Sequence, residues 1–171
     1  NGPTHEAPKE SEKKKAKGGS HFKLTTESIE LQGVKLFRVQ YKDGTKGGFV
    51  EKKENLAGNA KVLGNAKVYG NAVVSDDARV FGDAKVYGNA VVYGTAKVCD
   101  DAEVCVNAKV CGNAKVSGEA LVFGNAVVSG DAKVFGKAGV YDNAVVCGKA
   151  KVSGDTVVCG NDRITSNDFK K

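Results

Sequence analysis

The sequence predicts an all-β protein: a triangular solenoid of parallel coils, three hexapeptides to the coil and about six coils tall, with a β-hairpin cap at its N-terminal end. Three observations predict it. A large aliphatic residue stands at every sixth position from Leu56 through Val62, Val68 and Val74 to Val158 and Ile164, without a miss. Alanine sits two residues before each of these from Ala60 to Ala150, and only Thr156 and Asp162 break that column. Two further columns are pure at spacing eighteen: Asn71, Asn89, Asn107, Asn125, Asn143 and Asn161, and Lys61, Arg79, Lys97, Lys115, Lys133 and Lys151. A fixed short period marks a stacked solenoid, and a spacing of eighteen sets three hexapeptides per turn.

Each hexapeptide predicts one strand and one corner. In Ala66-Lys67-Val68-Tyr69 the alternation of a strand places Ala66 and Val68 on one face and Lys67 and Tyr69 on the other. The small apolar pair faces inward, so the interior is narrow. Gly70-Asn71 then turns the chain, because both residues tolerate positive φ. Four-residue strands and tight corners, stacked at ~4.8 Å, make a prism roughly 30 Å tall.

Four segments follow along the chain. Residues 1–20, "NGPTHEAPKESEKKKAKGGS", are charged and nearly free of large apolar side chains, and are expected to form a disordered tail. Residues 21–55 are expected to form the cap. There "SIELQGVKLFRVQYK" alternates around Gln32-Gly33 as a hairpin, "KDGTKGG" reads as a glycine-rich turn, and Phe49-Val50 as a further short strand. "KGGFV" lacks the spacing of a phosphate loop. Residues 56–165 are the solenoid and 166–171 a C-terminal tail. Asp162 stands where alanine belongs, and an unpaired carboxylate is not held inside a core, so the coils are expected to fray at about Asn161. Phe169 is placed over the last coil.

Composition narrows the function. The net charge of +6 comes from the ends: residues 1–55 carry 12 Lys/Arg against 8 Asp/Glu, residues 56–168 carry 12 against 12, and Lys170 and Lys171 supply the rest. A neutral repeat region argues against nucleic acid as a partner. No apolar run reaches transmembrane length, so no membrane insertion is expected. The chain begins at Asn1 and holds no Met, as a processed or trimmed product would. Five cysteines without a CxxC pair signal neither a disulfide framework nor a zinc site. Cys99, Cys105 and Cys111 fall on three different faces. The same-face pairs Cys105/Cys159 and Cys111/Cys147 lie two or more coils apart, too far to bridge. They read as free thiols filling outer positions, which favours a cytoplasmic setting over a surface- or virion-associated one.

The words "GNAxVxGNAxV", preceded by "GVKLFRVQ", "KGGFVE" and "NL", resemble bacterial and prophage hexapeptide-repeat proteins of the transferase-like group, over about residues 22–165. That resemblance implies a left-handed parallel β-helix and a trimer. It also implies an acyltransferase using an acyl-CoA donor, with a histidine general base in a cleft between subunits. This chain carries only His5, in the tail, and His21, before the cap. No loop interrupts the six-residue count. The residues that carry the family's activity have no counterpart, so no catalytic residue, cofactor or metal ligand is assigned.

The outward columns differ from face to face. The first carries the basic ladder Lys61, Arg79, Lys97, Lys115, Lys133 and Lys151, with Asp83, Asp101 and Glu119 at its corners to neutralise it; a solvated, locally paired ladder is favoured over a polyanion site. The second mixes Lys67, Lys85 and Glu103 with Tyr69, Tyr87, Phe123 and Tyr141. The third presents Val73, Val91, Lys109, Val127, Val145 and Arg163, with Tyr93 alongside: an apolar stripe that neither neighbouring face repeats. The expected function is a non-catalytic structural, scaffold or binding solenoid that self-associates through this stripe, a homotrimer being favoured, within a larger assembly or filament. The alternatives are an acyltransferase-like enzyme and a polyanion- or protein-binding surface built on the ladder.

Overall fold

One hexapeptide makes one short strand and one corner, and three of them close a coil. In the computed structural model, which describes residues 21–166, eighteen two-residue strands follow the cap in regular order. They run from β4 (Lys61–Val62), β5 (Lys67–Val68) and β6 (Val73–Val74) to β19 (Lys151–Val152), β20 (Val157–Val158) and β21 (Arg163–Ile164). Every third strand pairs in parallel, giving three sheets: β4-β7-β10-β13-β16-β19, β6-β9-β12-β15-β18-β21, and one in which β5-β8-β11-β14-β17-β20 continues the cap strands. They are called below the cation sheet, the valine sheet and the cap sheet. Formal pairing is thus shorter than the four residues expected, because the corners claim the flanking positions. The ladder still reaches them: Leu63 N–H donates to Val80 C=O at 2.8 Å and Lys61 N–H to Ala78 C=O at 3.0 Å.

The interior is the alanine–valine pair of each word. Every inward residue from Ala60 to Val152 is essentially inaccessible. Burying a valine contributes about 1.5–3 kcal/mol, and the small alanine lets the three walls approach each other. Corner glycines such as Gly70 and Gly88 hold φ near +67° and +69°. A side chain on Gly136 would lie 2.7 Å from the Gly154 amide nitrogen on the next coil, so that corner requires glycine twice over.

The cap is built as expected but more extensively. β1 (Phe22–Leu31) and β2 (Val34–Tyr41) form a hairpin whose turn residues Gln32 and Gly33 both have positive φ, +50° and +84°, the geometry that suits the twist of paired strands. β3 (Lys46–Val50) pairs antiparallel with β2 and parallel with β5, and so joins hairpin to solenoid. Gly47 and Gly48 lie in this strand, not in a turn. A Cβ on either would sit 2.5 Å from the carbonyl oxygen of Val62 or Ala66, so their lack of side chains is what lets β3 lie against the first coil. Lys53–Asn55 adds a single 3-10 turn before Leu56, which bridges to Val74.

At the other end the expected fraying does not occur. β21 remains paired with β18, and Val145 N–H donates to the Asp162 carbonyl at 2.9 Å. Asp162 is exposed. With no further coil among the described residues, the inward position of this turn opens to solvent, and the carboxylate keeps its hydration. Phe169 and the tails, His5 included, lie outside the described residues.

Candidate functional site

Among the described residues no single cleft gathers chemistry, so the candidate sites are the three outer sheets and their corners. His21 is a structural residue: its Nε2 lies 2.6 Å from the Ala60 carbonyl oxygen, and its ring packs edge-on against Phe22 and tilted against Tyr41. A shallow depression of about 370 Å³ beside it is lined by Phe22, Lys23, Gln40, Tyr41, Lys42 and Gly44. Among the described residues, no three His, Cys, Asp or Glu side chains converge as a metal site would require.

The asparagine ladder is continuous. Each Asn amide donates to the side-chain oxygen one coil on, from Asn71 to Asn89 at 3.2 Å and onward through Asn107, Asn125 and Asn143 to Asn161 at 3.4 Å. Lys52 Nζ closes its N-terminal end on Asn71 Oδ1 at 3.3 Å. All six asparagines are exposed, so the ladder stabilises a corner in water, where a hydrogen bond contributes about 1 kcal/mol or less. A second corner carries a partial copy: Asn59 donates to Asp77, Thr95 to Asn113, and Asn113 to Asp131.

Asp76, Asp100 and Asp142 take over corner-glycine positions at φ of +57° to +59°. Each turns its Oδ2 to accept the backbone N–H of the glycine one coil on: Gly94 at 3.0 Å, Gly118 at 2.9 Å and Gly160 at 2.9 Å. Asp100, like the other two, is therefore a corner clamp. Val106 occupies the equivalent position at φ +62° and is 46% exposed, an unusual conformation for a β-branched residue.

The cysteines are five free thiols. Cys99 is itself buried rather than an exposed outer filler, although Phe135 in the same column is exposed. Burial pushes the Cys99 and Cys105 thiols up, away from the reactive thiolate. In the same column as Cys105, Tyr69 and Tyr87 stack at 4.9 Å, and Phe123 and Tyr141 at 4.8 Å. The Tyr87 hydroxyl donates to Glu103 at 2.9 Å. Burial, followed by contacts with Cys105 and Glu103, raises its pKa and keeps it protonated.

The valine sheet brings its predicted residues together in register: Val73 beside Val91, Lys109 between Val91 and Val127, Val127 beside Val145, and Val145 beside Arg163. Val73, Val91, Val127 and Val145, and Tyr93 with them, are half-buried already in the single chain. The neighbouring cap sheet is less polar than expected. Leu121 and Val157 there are 42% and 50% exposed on either side of Gly139, so an apolar surface recurs on that face.

On the cation sheet the six basic residues stand one per coil in direct register. The expected pairing with Asp83, Asp101 and Glu119 is not formed. Among the described residues the ion pairs are Arg38–Glu27 at 2.9 Å and Lys46–Glu27 at 4.0 Å, both in the cap.

Residues 78–94 match the YdcK Beta solenoid repeat family. The match spans β7, β8 and β9, one strand from each sheet, and identifies a β-solenoid repeat there. It is too short to assign the whole chain. No curated protein matches the chain significantly.

Proposed function

We propose that this protein is a non-catalytic structural or binding solenoid that self-associates through the valine sheet. The observation that carries this reading is the in-register column in which Val73, Val91, Val127 and Val145 stand on one parallel sheet. An apolar stripe about 20 Å long, interrupted by Lys109, is seldom left bare by a monomer. A parallel trimer about an axis along the prism brings the stripe of each copy against the others, with Lys109 and Arg163 at breaks in the contact. The resemblance to transferase-like hexapeptide proteins supports the same arrangement and carries the alternative, an acyl-CoA-dependent enzyme.

Light scattering of the intact chain at micromolar concentration tests the proposal. A trimeric mass is expected, falling to the monomer in Val91→Asp/Val127→Asp, because a buried, unpaired carboxylate costs several kcal/mol. A monomeric wild type, or a variant with unchanged mass, sinks it. Tight CoA binding by calorimetry would favour the enzyme instead.

A further inference from the structure

The outward cations of the cation sheet take no part in the core, which the inward valines of the same strands build. Lys61, Arg79, Lys97, Lys115, Lys133 and Lys151 are stacked directly, each opposite the next, and like charges opposite one another destabilise a sheet. Packing does not require them, since the equivalent outward positions of the valine sheet are mostly valine. No carboxylate lies within 4 Å of any of the six among the described residues, and only at Lys61 does a more distant one, Asp43 of the cap, act on the ladder. Arg79 and the four lysines after it are exposed; Lys61 is half-buried, its Nζ 5.4 Å from the centre of the Tyr41 ring. The result is a straight rail of six cations at a spacing of about 4.8 Å.

We propose that this rail binds a linear anionic polysaccharide, carrying uronate or sulfate groups, laid along the prism with one sugar per coil. The spacing selects the ligand. A pyranose ring in an extended chain advances about as far as one coil of the solenoid, so where successive rings turn over, same-side anionic groups still meet every second rung in register. An acidic peptide strand laid the same way presents same-side carboxylates only every ~6.6 Å and loses register within two or three coils. Duplex DNA carries one charge per ~1.7 Å of axis on two winding backbones, which a flat rail cannot follow. Single-stranded nucleic acid relies on successive aromatic platforms. The column beside the cations reads Leu63, Phe81, Cys99, Ser117, Phe135 and Ser153, with its two aromatics three coils apart. Phenylalanine faces and serine hydroxyls at such intervals suit the apolar faces and hydroxyls of sugar rings.

The test uses the intact chain with fluorescently labelled polygalacturonate and dextran sulfate at low and near-physiological salt. Binding to at least one of these polymers, and not to neutral dextran, is expected. It should weaken steeply with salt and tighten with oligomer length up to about six sugars, the number of rungs. Lys97→Gln/Lys115→Gln/Lys133→Gln should keep the thermal melt and lose at least about tenfold in affinity. Two controls should stay within about twofold: Lys109→Gln on the valine sheet, and Lys13→Gln/Lys14→Gln/Lys15→Gln in the N-terminal segment. No binding at low salt, wild-type affinity in the ladder variant, loss of binding in the N-terminal variant alone, or tighter binding of single-stranded DNA of equal charge would each overturn the proposal. Light scattering of the ladder variant separates this result from the oligomer: the mass is expected to be that of wild type, because the mutated sheet is not the valine sheet.

Discussion

The two ends of the solenoid are made from the same repeat and end it in opposite ways. At the N-terminal end the inward residues of the first coil point their amides outward along the axis, and the cap meets them one by one. His21 lies on the Ala60 carbonyl, Phe49 N–H and Glu51 N–H donate to Ala66 and Val68, and Asn55 Nδ2 donates to Gly70 and Ala72 at 3.1 and 2.8 Å. The Tyr41 hydroxyl does both jobs at Val62, accepting from its N–H at 2.6 Å and donating to its carbonyl at 2.9 Å. At the C-terminal end the described residues build no second cap. The repeat itself changes: Thr156 and Ile164 are half-buried and Asp162 is exposed, where every earlier coil is sealed. Open strand edges invite pairing with another chain. One end is closed by satisfying its backbone, the other by a side chain that will not accept a coil on top of it.

Moving the C-terminal device into the middle should give the largest effect. Ala108→Asp places the same carboxylate in a sealed coil and should cost at least about 4 kcal/mol or abolish folding; a denaturant midpoint close to wild type would show that the interior admits water.

Removing one cap contact comes next. Tyr41→Phe leaves the Val62 N–H and C=O without their partner and should cost about 1–3 kcal/mol by chemical denaturation. Burial pushes the Tyr41 phenol from 10.0 up to about 12. The folded state therefore holds this proton more tightly than the unfolded chain does. The stabilising contribution is complete below pH 10 and is lost as the pH rises to about 12. The stability gap between wild type and Tyr41→Phe should narrow across that window, and a gap constant with pH would contradict the assignment.

The smallest effect belongs to the open end. Asp162→Ala should change stability by no more than about 0.5 kcal/mol, as expected of an exposed site. Its readout is association: restoring the apolar word should promote concentration-dependent growth by light scattering, and an unchanged mass would mean that Asp162 does not guard the end.

What the sequence made legible was whatever the six-residue word determines locally. Inward Ala66 and Val68, the corner at Gly70-Asn71 and the turn at Gln32-Gly33 follow from side-chain size and from which residues tolerate positive φ. What it hid depends on residues eighteen or more positions away. Gly47 and Gly48 read as a turn because their reason, the Val62 and Ala66 carbonyls, lies in the first coil. Cys99 read as a surface filler because its burial comes from other coils. The lysine ladder read as paired because nearness in sequence to Asp83 and Asp101 does not aim a carboxylate. The Asp clamps had a visible signal, the words "SDDA", "CDDA" and "YDNA", since Asp is among the few residues that replace glycine at a left-handed corner.

The asparagine ladder also constrains how such a gene can change length. Inserting or deleting eighteen residues adds or removes one rung and slides everything beyond it by ~4.8 Å, leaving each column on its own sheet. An indel of six keeps every alanine and valine inside, yet rotates all later columns by a third of a turn: the asparagines leave their corner, and the lysines arrive on a sheet already occupied by other side chains. The core is indifferent between the two events, and the surface is not. Copy number can drift in whole coils as it does in a ruler cut at its graduations, while a single lost word rewrites every face downstream.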